Sequence, residues 1–165
     1  MATITLKGNP FQTNGELPKV GTKAPNFSLR TVELGTTSLA DFSGSKVILN
    51  IFPSVDTGTC ATSVRTFNKS ASELNNTKVI CVSRDLPFAH ARFCGAEGID
   101  NVISVSDISG DFSTAYGLKI TEGPLADLSS RSIVVLDENG TVLYTEQVSE
   151  TVDEPNYKAA INAVK

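Results

Sequence analysis

The stretch PSVDTGTC, Pro53 to Cys60, follows an almost uninterrupted apolar run, KVILNIF (46–52), and precedes ATSVRTFNKSASEL (61–74), whose apolar residues recur at helical spacing. KVILNIF lacks a polar face, as strands covered by helices on both sides do. A buried strand that passes through a short polar loop into a helix places Cys60 at the helix N-terminus. There, unpaired backbone N–H groups and the helix dipole favour negative charge. A thiol held in that position tends to ionise, and the thiolate is the reactive form.

Working outward, the helix after Cys60 carries Ala61, Val64, Phe67, Ala71 and Leu74 on one stripe, with Arg65, Asn68, Lys69 and Glu73 elsewhere. A second apolar strand, KVICVS (78–83), follows a turn at Asn75-Asn76. RDLPFAHARFCGAEG (84–98) predicts a short helix with Pro87 in its first turn and Gly95 near its end. Then come strand NVISV, a helix in GDFSTAYG, a loop, strand RSIVVLD, turn ENG, strand TVLYTEQV and a terminal helix in EPNYKAAINAV. Upstream, residues 3–13 alternate around Gly8-Asn9-Pro10 and predict a β-hairpin. Residues 26–31 read as a short strand, Gly35 as a turn and 39–42 as a brief helix. The expected class is α/β, a mixed central sheet flanked by helices with an N-terminal β-hairpin extension over residues 1–17.

Composition narrows the function classes. The 165 residues, 40% hydrophobic and without a composition break, fit one domain over 1–165. A net charge of -4 and the lack of any Lys/Arg cluster argue against nucleic acid or an anionic membrane as the main partner. The N-terminus lacks the charged and apolar regions of a signal peptide, and no apolar run is long enough to cross a bilayer, so a cytoplasmic protein is expected. Three cysteines, an odd count, speak against a complete structural disulfide framework.

The order of elements, with a cysteine at the first strand-to-helix switch, resembles the thioredoxin fold. Thr57 stands where a redox CxxC would have its other cysteine. Pro53, Thr57 and Cys60 match the P-x-x-x-T-x-x-C motif of the peroxiredoxins. NIFPSVDTGTCATSVRTFN, SRDLPFAHARFCGAEGIDNVISVSD, GPLADLSSRSIVVLDENG and EPNYKAAI together resemble the bacterial thiol peroxidase subfamily along essentially the whole chain. The resemblance implies a thioredoxin-like fold and reduction of hydrogen peroxide and organic (alkyl) hydroperoxides. It implies Cys60 as the peroxidatic cysteine, which becomes a sulfenic acid, and Cys94, 34 positions beyond it, as the resolving cysteine. It further implies an intramolecular Cys60–Cys94 disulfide, recycling by thioredoxin, and a homodimer. No cofactor or metal is implied.

The same resemblance gives parts to three more residues. The Thr57 hydroxyl can hydrogen-bond thiolate and peroxide. Pro53, with no N–H and a rigid ring, shields the site from water. Arg131 matches an active-site arginine whose fixed charge favours the thiolate and orients the peroxide.

Taken as bare residues, each has a plainer reading. Cys60 and Cys94 could be small core hydrophobes, Thr57 an N-cap, Pro53 a strand end, and Arg131 a solvated strand end. Cys81, inside VICV, reads as a buried core residue. The single histidine, His90, is expected partly exposed on the helix that carries Cys94, and is the only base available to a Cys-His hydrolase. A phosphatase loop needs an arginine six positions after its cysteine, where Thr66 stands. The spacing of 60, 81, 90 and 94 is too wide for a usual zinc site. A redox sensor using the Cys60–Cys94 pair remains the non-enzymatic alternative.

Overall fold

KVILNIF forms an interior strand of the sheet. In the computed structural model, which describes residues 1–165, it runs from Lys46 to Ile51 as β5, and every residue from Val47 to Ile51 is buried. Its alternate side chains enter two separate apolar clusters: Ile48 faces one with Phe52, Val64, Phe67 and Phe93, while Val47, Leu49 and Ile51 face another with Phe27, Phe112 and Tyr116. A strand covered on both faces has no use for a polar stripe, which explains the nearly continuous apolar run, interrupted only by Asn50.

The preceding elements are β1 (Thr3–Leu6), β2 (Asn9–Gln12), β3 (Ser28–Thr31), β4 (Thr36–Ser38) and a 3-10 turn at Leu39–Phe42. After β5 come α1 (Gly58–Ala71), β6 (Thr77–Ser83), α2 (Pro87–Glu97), β7 (Ile103–Ser106), α3 (Asp111–Ala115), β8 (Ser132–Leu136), β9 (Val142–Gln147) and α4 (Tyr157–Asn162). The main sheet has the order β4-β3-β7-β6-β5-β8-β9, and β1 and β2 form a separate hairpin. β5, β6 and β7 are parallel, linked by α1 and α2 as two βαβ units, whereas β8, β9, β3 and β4 join antiparallel. This is the expected mixed, thioredoxin-like arrangement. β5 therefore has a parallel neighbour on one side and an antiparallel one on the other.

α1 packs its expected stripe: Cys60, Ala61, Val64 and Phe67 are buried, while Ala71 and Leu74 are only partly covered. Burial of side chains such as Val64 and Phe67 contributes about 1.5–3 kcal/mol each. One element was not expected. Residues 36–38, assigned to no element between the Gly35 turn and the helix at 39–42, form β4, which has no apolar alternation of its own and exists because Ser28, Leu29 and Arg30 pair with Ser38, Thr37 and Thr36. α2 has Gly95 near its end, as expected, and closes at Glu97 on Gly98, which takes the left-handed conformation (φ +65°) that lets its N–H return to the Cys94 carbonyl.

Candidate functional site

The loop from Pro53 to Thr57 leaves the end of β5 and turns directly into α1. Asp85, just beyond β6, holds it there: its carboxylate accepts from the Ser54 hydroxyl (2.7 Å), the Val55 N–H (2.9 Å) and the Ser83 hydroxyl. Pro53 is buried under this loop. Thr57 is the N-cap of α1 by backbone geometry, but its hydroxyl donates to the Ser54 carbonyl (3.1 Å) and caps no helix N–H. The N–H groups of Gly58, Thr59 and Cys60 consequently find no acceptor in the chain. They leave a partial positive charge at the cysteine's own turn.

Cys60 lies in that turn, 0% exposed, packed among the side chains of Phe52, Val55, Val64 and Phe93. A polar relay under it fixes the turn to the sheet. Asn50 of β5 donates to the Ser63 hydroxyl (3.2 Å), which donates to the Cys60 carbonyl (2.7 Å). All three cysteines are free thiols.

Arg131 immediately precedes β8. Ile51 pairs with Ser132, so the antiparallel register carried one step further sets Arg131 beside Phe52, next to Pro53. The side chain is 2% exposed, takes part in no ion pair, and makes one hydrogen bond, from Nε to the Thr151 carbonyl (3.0 Å); Nη1 is buried without a partner. The solvated strand end that the sequence allowed is thus ruled out. A buried guanidinium without a counter-ion is costly unless an anion meets it. Thr59, next to Cys60, ties α1 to the same backbone segment through its bond to the Val152 carbonyl (2.8 Å).

Cys94 occupies α2, packed against the apolar cluster that contains Cys60, with its Sγ–H donated to the Ser104 hydroxyl on β7 (3.2 Å). Pro53, Thr57, Cys60 and Arg131 thus gather at the end of β5, and Cys94 approaches the same cluster from the next helix.

Comparison with known proteins gives the family. The Redoxin family matches residues 19–161. Thiol peroxidases of Corynebacterium glutamicum and Mycobacterium tuberculosis are 52% and 54% identical over 164 residues, covering 99% of this chain and 99% of each relative. The chain belongs to the thiol peroxidase branch of the Redoxin family. Among solved structures, a peroxiredoxin-like protein from Aquifex aeolicus superposes with a TM-score of 0.94 at 35% identity, covering 99% of this chain and 96% of its own. A thiol peroxidase from Chromobacterium violaceum superposes at 0.88 with 25% identity, covering 95% and 91%.

The remaining candidates separate cleanly. Cys81 of β6 is fully buried, and burial pushes its thiol up to about 12, with the Asn50 amide at 3.6 Å opposing the shift only in part. It stays protonated at neutral pH, where a thiol is a poor nucleophile. Cys81→Ala should therefore leave peroxide reduction unchanged while costing about 1 kcal/mol of stability through the small cavity it opens, measurable by urea titration.

His90 corrects the sequence reading. It is 0% exposed, not partly exposed, because it lies on the inner side of α2, where its ring packs at 6.4 Å from that of Phe52 and Nε2 meets the Ser83 hydroxyl (3.0 Å). Burial lowers its pKa, and neither ring nitrogen bonds a cysteine. A Cys-His pair is not formed. No cluster of three or more His, Cys, Asp or Glu side chains is placed to hold a metal ion.

Three contributors were not singled out from the sequence: Asp85, which holds the loop, Ser104, which holds the Cys94 thiol, and Thr151, which holds the guanidinium. Only Asp85, as a carboxylate beside the quoted SRDLPF segment, offered a signal. Thr151 acts through its carbonyl, which any residue supplies.

Proposed function

We propose that the chain is a thiol-dependent peroxidase that reduces hydrogen peroxide and organic hydroperoxides at Cys60. The observation that carries this reading is the buried, unpaired guanidinium of Arg131, anchored on residue 151 of the segment whose residue 152 anchors the Cys60 turn. It is a cation awaiting an anion, and the thiolate and the departing peroxide oxygen are both anions.

The Cys60 thiolate attacks one peroxide oxygen. The O–O bond breaks, an S–O bond forms, and the departing oxygen takes a proton and leaves as water or an alcohol. Arg131 and the free N–H groups of the first turn of α1 stabilise the charge on that oxygen, the Thr57 hydroxyl orients the peroxide, and Pro53 keeps water off the sulfur. The Cys94 thiolate then attacks the Cys60 sulfenic acid; the S–S bond forms as the S–O bond breaks, and the hydroxyl leaves as water. A thioredoxin-type dithiol protein reopens the Cys60–Cys94 disulfide by two successive thiol–disulfide exchanges and is itself oxidised. In this reading residues 1–165 work as one domain, with 1–17 as its extension. The expected homodimer has a candidate face at the start of α2, where Leu86 and Phe88 are 52% and 64% exposed. A cytoplasmic location, where dithiol reductants are abundant, fits the chemistry, and no helix is long and apolar enough to cross a membrane.

The deciding experiment supplies thioredoxin, thioredoxin reductase and NADPH and counts the equivalents of hydrogen peroxide and of tert-butyl hydroperoxide consumed. An enzyme consumes many equivalents of both. Consumption that stops near one equivalent identifies a redox switch and overturns the proposal.

Arg131→Ala should slow oxidation of Cys60 about 10²- to 10³-fold, the loss typical of removing one donor to a developing oxyanion. Its melting temperature should fall little, because a buried cation without a partner contributes little to stability. Stopped alkylation with mass detection reads the first quantity and calorimetry the second. A variant that unfolds instead would make Arg131 structural.

A further inference from the structure

We propose that Glu150 is a positioning residue for Arg131, and that the N-terminal hairpin is the buttress through which it acts; the inference rests on the peroxidase reading above. Residues 148–152 form a strap across the site. Its first member donates from the Val148 N–H to the Arg131 carbonyl (2.9 Å), the Thr151 carbonyl accepts the only hydrogen bond of the Arg131 guanidinium (3.0 Å), and the Val152 carbonyl accepts from Thr59 (2.8 Å). The strap therefore sets both the arginine and the helix start that carries Cys60. It belongs to no helix or strand, so its own position must come from elsewhere.

That position comes from β1 and the hairpin turn. The Thr5 N–H donates to the Ser149 carbonyl (2.8 Å), and the Thr151 N–H donates to the Thr5 carbonyl (2.8 Å). Between them, the Glu150 carboxylate accepts from the Gly8 N–H (2.8 Å), the Lys7 N–H (3.1 Å), the Thr5 hydroxyl (3.1 Å) and, within the strap, the Val152 N–H (3.3 Å). Lys7 and Gly8 both have positive φ, +50° and +83°, the two-residue hairpin turn in which successive N–H groups converge on one point. An anion at that point makes several charge-assisted bonds at once. The Gly8 N–H does most to hold the Glu150 carboxyl below the usual carboxylate range, so it is ionised at neutral pH. One side chain thus pins the turn of the hairpin to the middle of the strap, one residue from the carbonyl that aims the guanidinium. An arginine has many rotamers, and a charge displaced by about 1 Å from the reacting atoms loses on the order of 10²-fold in rate. Ser149 and Thr151 keep their backbone bonds when Glu150 is truncated, so the loss is of alignment and not of the fold.

The test is a double-mutant cycle on the rate of Cys60 oxidation by hydrogen peroxide in a single turnover, read by quenched alkylation and mass spectrometry. Glu150→Ala should slow oxidation roughly 10- to 100-fold in the wild-type background and cause no further slowing in Arg131→Ala. Glu150→Gln, which keeps an acceptor for Gly8, should recover most of the rate. The Arg131 Nε–H resonance in a ¹⁵N spectrum should move toward the position of a free guanidinium in Glu150→Ala alone, a readout that does not depend on peroxide chemistry. If Glu150→Ala fails to fold, Thr5→Val, which removes one bond to the carboxylate, runs the same cycle. Equal slowing in both backgrounds, or an unmoved Nε–H resonance, overturns the positioning role. A wild type that does not consume peroxide at all, with the resonance shift present, refutes the peroxidase reading and leaves the Glu150–Arg131 linkage standing.

Discussion

Cys60→Ser should lower peroxide turnover by at least on the order of 10³-fold, the scale of loss when a covalent nucleophile is removed. The expectation follows from the placement of the three cysteines. Cys81 is buried in the sheet with its thiol held protonated, and Cys94 donates its Sγ–H to Ser104, so neither stands at the helix start that concentrates free N–H groups. The substitution exchanges a sulfur for a hydroxyl in a site lined by Phe52, Val55, Val64 and Phe93, which costs about 1–3 kcal/mol if the hydroxyl finds no partner. That cost lowers the melting temperature by a few degrees but leaves a folded majority, so it does not account for the rate loss. The coupled thioredoxin assay and a thermal melt on the same preparation separate the two effects, and Cys60→Ala gives the same kinetic result without the hydroxyl. Turnover remaining at even a tenth of the wild-type rate would move the nucleophile to another residue.

The parts of this site that the sequence made legible are those written in side-chain type and local spacing. The apolar run of β5, the polar loop and the helical stripe from Ala61 to Phe67 all follow from local pattern, and together they place Cys60. The family motif then singled out Pro53 and Thr57, and the wider subfamily resemblance Arg131 and Cys94, all of which bare periodicity leaves ambiguous. Arg131 shows why: its burial comes from the strap that covers it, some twenty residues later in sequence, and no local pattern encodes that cover. His90 shows the converse error. A lone histidine on a short helix looks like a surface residue until Ser83, at the end of β6, supplies the partner that allows it to be buried. β4 and the Thr151 carbonyl were illegible for a shared reason, since backbone pairing across distant segments is available to almost any residue and leaves little trace in composition.

Oxidation to the disulfide should loosen the two helix segments that bear the cysteines, with faster amide exchange over residues 58–61 and 92–98 in the disulfide form than in the dithiol form. A disulfide requires Cα atoms within about 7 Å and Cβ atoms directed at each other. In the free-thiol state each cysteine is instead committed elsewhere: the Cys60 turn is bound through Ser63 to Asn50 and through Thr59 to Val152, and the Cys94 thiol is bound to Ser104. Forming the S–S bond must release some of these contacts. The weakest are at the helix ends. The first turn of α1 has free N–H groups, and α2 closes on the left-handed Gly98, whose contact with the Cys94 carbonyl is lost as soon as that turn unwinds. Cys94→Ser should therefore react with peroxide at the wild-type rate, stall at the Cys60 sulfenic acid, lose nearly all thioredoxin-coupled turnover, and accumulate sulfinic acid at peroxide doses that leave the wild type intact. Mass spectrometry of the oxidised protein checks the chemistry, and exchange on both redox forms checks the motion. Equal protection in the two forms, with the disulfide confirmed by mass, would mean that the thiols reach each other without unwinding, and the contacts to Asn50, Val152 and Ser104 would then have to persist in the oxidised state.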